Sequence, residues 1–102
     1  MTELEKSAME IICASGDSRG ASFAALRLAR KGQFDEARAK LKESKEKGDK
    51  GHNAQSALIM KEAQGSGVEL NLLMVHAQDH LMTSLLAFDL IEEMVEMLAE
   101  RK

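Results

Sequence analysis

The run LLMVHAQDHLMTSLLAFDLI, residues 72–91, is apolar at more positions than a surface helix needs. Turned at about 100 degrees per residue, it sends Leu73 and Ile91 one way, Leu81 and Phe88 another and Leu85 a third. Leu72, Val75, Met82 and Leu86 point in a fourth direction. A helix apolar on every side must be covered on every side. A three-helix bundle of modest size covers only part of it, so the seam Leu72, Val75, Asp79, Met82 and Leu86 is expected to face another copy of the chain.

The rest of the chain supports helices and no sheet. Its 102 residues include no Pro, Trp or Tyr and three Phe, with 44% apolar and 30% charged residues. Such a composition favours long uninterrupted helices and a single domain, residues 1–102, too small to enclose a deep active-site cavity. Gly32 follows LRLARK as a helix-ending glycine would, and Gly65 with Gly67 marks a second break. Three helical segments result, over residues 2–31, 34–63 and 68–100. The GDSRG stretch, residues 16–20, predicts a kink in the first, with Asp17 or Ser18 capping a restart. In the second, Phe34, Ala37, Leu41, Ser44, Gly48, Gly51, Gln55, Leu58 and Glu62 alternate three and four apart, a bundle seam with little bulk at its middle. The expected fold is all-α, an antiparallel three-helix bundle with a kinked first helix.

Charge and cysteine content narrow the function classes. A net charge of -3 with both signs interspersed, and no aromatic platform, points away from nucleic acid. Acids in MTELEKSAMEII occupy the place of a signal peptide's basic region, and no apolar run is long enough to cross a bilayer, so a cytosolic protein is expected. Cys13, alone and flanked by small and apolar residues, reads as a reduced core filler.

Within residues 75–84 the chain places His76, His80 and Thr83 at i, i+4 and i+7 on one helical face, with Asp79 on the adjacent seam. Three explanations compete. Both histidines could be satisfied interface residues, bonded to backbone or to a polar group such as Gln55. They could begin a divalent metal site, with Asp79 or His52 as third ligand. One imidazole could instead act as nucleophile or proton carrier, because its neutral form exposes an in-plane lone pair. Spacing does not choose between the last two.

The same run resembles the signature of the lactose/cellobiose family of enzyme IIA proteins of the bacterial phosphoenolpyruvate sugar phosphotransferase system, with HAQDHLMTS its core. GDSRGASFAAL, KGQFDEARAKL and GHNAQSALIMKEAQG extend the likeness along nearly the whole chain. The resemblance implies a three-helix bundle assembled as a homotrimer. It also implies that His76 is transiently phosphorylated, taking the group from HPr and passing it to a cysteine of enzyme IIB, itself linked to the membrane enzyme IIC. Asp79 is then expected inside the trimer, sharing a divalent cation such as Mg2+ with its copies, and Gln78 and His80 are expected to support the phosphoryl group or the ring. No nucleotide is expected, and the transported sugar should be a β-linked disaccharide of the cellobiose, chitobiose or lactose type. The alternatives left standing by the residues themselves are a helical metal-binding module and an adaptor without chemistry.

Overall fold

The computed structural model describes residues 1–101, which form three helices: α1 (Glu3–Arg30), α2 (Phe34–Ala63) and α3 (Leu72–Glu100). Each end has a chemical cause. Thr2 and Glu5 form a capping box, the threonine hydroxyl accepting from the Glu5 N–H at 3.1 Å and the Glu5 carboxylate from the Thr2 N–H at 3.0 Å. The Thr2 backbone N–H, and after it the Thr2 side chain, hold the Glu5 carboxyl below the ordinary carboxylate range. At the other end of α1, Gly32 takes φ 77°. Its N–H donates to Ala29 O and that of Gln33 to Leu28 O, which satisfies carbonyls the helix leaves open. Gly65, at φ 84°, closes α2 in the same way through bonds to Glu62 O and Lys61 O. Asn71 starts α3, its side-chain oxygen accepting from Met74 N–H at 2.9 Å, so the third helix begins four residues later than its apolar pattern does.

The helices run up, down and up. Ala8 and Ile11 of α1 cluster with Met74, Ala77 and Leu81 of α3, while Ala25 and Ala29 cluster with Ile91 and Val95 at the far end, so α1 and α3 are parallel. Ala37 and Leu41 of α2 join that second cluster, and Gly51 lies beside Ala14 and Leu81, so α2 is antiparallel to both. The bundle measures 53 × 24 × 18 Å, somewhat longer than any one of its helices of 28 to 30 residues at about 1.5 Å per residue. Arg38 at the start of α2 pairs with Glu96 near the end of α3 at 3.1 Å, and that contact keeps its guanidinium still more firmly charged. With both side chains about half exposed, the pair contributes little to stability.

Small residues at the waist let α2 approach α1. Ser44 donates to Ser18 O at 2.7 Å, Ser18 donates to Ser44 O at 2.9 Å, and the Ser22 and Ser44 hydroxyls are 2.6 Å apart. All three serines are fully buried, so these bonds replace water rather than add to it. The expected seam of α2 is the buried one at its middle, through Ala37, Leu41, Ser44, Gly48 and Gly51.

Two expectations are corrected. α1 runs without a break through GDSRG, and neither Asp17 nor Ser18 caps a restart. Gly16 and Gly20 face solvent with open space about them, while Ser18 is spent on the bond to α2. The glycines therefore weaken this stretch of helix without interrupting it. Cys13, expected in the core, is exposed, because the inward positions of that turn are taken by Ile11, Ala14 and Ser15.

Candidate functional site

On α3 the four apolar directions separate as the 3.6-residue period requires. Met74, Ala77, Leu81, Ile91 and Val95 are buried in the bundle, and Leu73, Leu85 and Phe88 are half-buried at its flanks. The fourth face is left open: Leu72 is 85% exposed, Leu86 58%, and Val75 and Met82 54% each. Exposed Asp79 lies in the middle of this stripe.

The two histidines meet beside it. His76 is exposed and His80 half-buried, with their Nε2 atoms 3.0 Å apart and their rings edge to face, centroids 4.4 Å apart. One turn of helix brings them into register. Such a contact needs hydrogen on one Nε2 and a lone pair on the other, so it holds each ring in place, and the accepting lone pair becomes available to an electrophile when the bond opens. Thr83, third on this face, turns its hydroxyl to the backbone instead, donating to Asp79 O at 2.8 Å and reaching His80 O at 3.3 Å.

Other candidates stand apart. Gln78 is half-buried on the opposite flank, where its side-chain oxygen accepts from Gln55 Nε2 at 2.6 Å and its own nitrogen contacts Met74 Sδ at 3.3 Å. Gln55 thus bonds to Gln78 and not to either histidine, because α2 runs along the flank of α3 away from His76. This amide pair was missed from sequence, although Gln55 lies on the predicted α2 seam. His52 lines a cleft between α2 and α3 with Lys45, Gly48, Asp49, Leu85, Phe88 and Asp89, away from His76 and His80. Among the described residues no three His, Cys, Asp or Glu side chains gather, so a metal site closed within one chain by His76, His80 and Asp79 or His52 is not formed. Among them too, no helix is long and apolar enough to cross a membrane.

Comparison with known proteins places these features in a family. Residues 6–99 match the family described as the PTS system, Lactose/Cellobiose specific IIA subunit. The lichenan-specific phosphotransferase enzyme IIA component of Bacillus subtilis is 40% identical over 95 residues, which span 93% of this chain and 86% of that protein. The crystal structure of the PTS cellobiose specific enzyme IIA from Bacillus anthracis superposes with a TM-score of 0.94 at 33% identity, over 98% of this chain and 92% of that one. A IIA(chitobiose)–HPr complex of the N,N'-diacetylchitobiose branch of the Escherichia coli phosphotransferase system gives a TM-score of 0.83 at 38% identity, over 98% and 97% of the two chains.

Proposed function

The chain belongs to the lactose/cellobiose-specific IIA family of the sugar phosphotransferase system, whose components carry phosphoryl groups, and on that premise we propose that His76 is its phosphoryl-accepting residue. The observation that carries this reading is the exposure of the His76 ring, held against His80 rather than inside the bundle. A carrier must offer the same nitrogen to a donor and then to an acceptor protein. An exposed imidazole on a rigid helix does so with little reorganisation.

The donor in this reading is HPr, supported by the complex in which a chitobiose IIA protein is bound to HPr. As the P–N bond to the donor histidine breaks, a bond forms from phosphorus to a His76 nitrogen. That bond breaks in turn when the thiolate of an enzyme IIB cysteine attacks, and the cargo sugar is never bound by this chain. His80 steadies the ring and sets an N–H beside the reacting nitrogen. Gln78, on the far flank of α3, acts at such a site only from an adjacent copy. The relatives' names support a β-linked disaccharide of the cellobiose or chitobiose type as the cargo. The work is cytoplasmic, where phosphoenolpyruvate supplies the phosphoryl group.

The exposed stripe of α3 supports a homotrimer. Leu72, Val75, Asp79, Met82 and Leu86 recur at alternating steps of three and four, the spacing with which a helix packs against copies of itself. Assembly along that seam brings one Asp79 from each chain together. Three carboxylates in a dry interface repel unless neutralised, and oxygen donors of this kind suit a hard divalent cation such as Mg2+. The ion would compensate charge and take no part in transfer.

The test is direct. Mixed with enzyme I, HPr and phosphoenolpyruvate, the protein should gain one phosphoryl group per chain, labile in acid and stable in base. Retention of that label in His76→Ala would end the assignment.

A further inference from the structure

The apolar core is in two parts. Ala8, Ile11, Met74 and Leu81 belong to one cluster, and Ala25, Ala29, Ile91 and Val95 to the other. Between them runs a layer of small polar residues: Ser15, Ser18 and Ser22 of α1, Ser44 of α2 and Ser84 of α3, each at most 2% exposed. These serines are the buried polar residues among those described, and all of them fall in this one layer. Gly48 and Gly51 complete it. A Cβ on Gly48 would come within 3.3 Å of Ser18 Oγ, and one on Gly51 within 3.0 Å of Leu81 Cδ1.

The layer is the weak point of the bundle. The Ser15 hydroxyl is wholly buried and finds no hydrogen-bond partner in the chain, a cost that contact with water would remove. On the outer side of the same turns Gly16 and Gly20 face open space, so they add neither helix propensity nor contacts. Solvent is close as well. The cleft between α2 and α3 is lined by Ser18 and Ser44, and Ser15 lies one turn further along α1, beside Gly51. What holds α1 here is the set of bonds from Ser18 and Ser22 to Ser44. Hydroxyl bonds exchange for bonds to water at small net cost, whereas the apolar contacts of the two clusters do not.

We propose that the serine layer is a hinge. α1 opens there from Ser15 to Ser22, water from the α2–α3 cleft satisfies Ser15, and both apolar clusters stay closed on either side. The half of the bundle that carries His76 and His80, packed by Met74, Ala77 and Leu81, tilts on the other half as a unit. The inference is independent of the carrier reading.

The experiment is native-state amide hydrogen exchange, followed by NMR on the protein in its solution assembly and corrected for intrinsic rates. A bundle without a hinge frays from its ends and is best protected at mid-helix. Here the α1 amides from Ser18 to Ser22 should exchange about tenfold faster than those around Ile11 and Ala25. Protection that is greatest between Ser18 and Ser22 overturns the proposal. Val95→Ala, in the end cluster, should speed exchange around Ala25 while leaving the rate at Ser18 to Ser22 within about twofold, because the hinge opens with that cluster intact. Equal acceleration at both places would mean that the layer opens only by global unfolding, and the hinge falls. Ser15→Ala removes the unpaired hydroxyl and should slow exchange at Ser18 to Ser22 about tenfold. Acceleration there would show that Ser15 is already satisfied in the closed state. A like slowing in Ser22→Ala, which deletes a bond of the closed layer, would trace the effect to helix propensity and overturn the proposal equally.

Discussion

A methyl group placed on Gly51 would lie 3.0 Å from Leu81 Cδ1 and 3.5 Å from Ala14 Cβ, whereas one on Gly20 would meet nothing within 4 Å. Both glycines are helical, so alanine gains about 1 kcal/mol of helix propensity at either. At Gly51 overpacking costs about 1–3 kcal/mol and outweighs that gain, since Leu81 is wholly buried and has nowhere to turn. Gly20→Ala should therefore raise the urea midpoint of unfolding and Gly51→Ala should lower it; a rise in both would mean that the waist of the bundle is looser than described. Leu81 is the largest fully buried side chain of α3, and Leu81→Ala should cost about 2–5 kcal/mol by the same measurement. The histidine pair was legible at this scale from spacing alone. The partner of Gln55 was not, because periodicity says which residues share a face of one helix and nothing of which helix lies opposite.

At the scale of an element, the N-terminus of α1 depends on the reciprocal bonds of Thr2 and Glu5. Thr2→Ala should destabilise that end by about 1 kcal/mol, seen as faster amide hydrogen exchange in the first turn with the rest of the helix unchanged. A pH dependence accompanies it. The Glu5 carboxyl titrates lower in the folded chain than in the unfolded one, so its contribution is present above the ordinary carboxylate range and is lost as pH falls through the folded value. In Thr2→Ala the Glu5 titration followed by NMR should move part of the way back up, since the backbone N–H of residue 2 remains to donate. The boundaries of α2 were readable from Gly32 and Gly65, where positive φ is needed, but the continuity of α1 through GDSRG was not. A glycine pair signals a weak helix, and it is packing against the rest of the bundle, Ser18 on Ser44 included, that keeps the helix continuous.

At the scale of the whole molecule, an apolar stripe lies open on a chain whose other large apolar side chains mostly find cover. The proposed trimer makes opposite predictions for neighbouring substitutions there. Asp79→Leu should preserve or strengthen assembly, because it removes converging carboxylates from an apolar seam. Val75→Asp should disperse it, because it adds three charges beside the ones already present. Sedimentation measures both, and dissociation of Asp79→Leu into monomers would contradict the placement of that residue at the axis.

Local rules were enough for the helical class, the two breaks, the surplus of apolar faces on α3 and the meeting of His76 with His80, since each depends on residues within a turn or two of one another. The solvent exposure of Cys13, the unbroken first helix and the amide pair of Gln55 and Gln78 were decided by tertiary structure. Those features depend on which helical faces oppose each other, and that choice belongs to the packing of segments far apart in the chain.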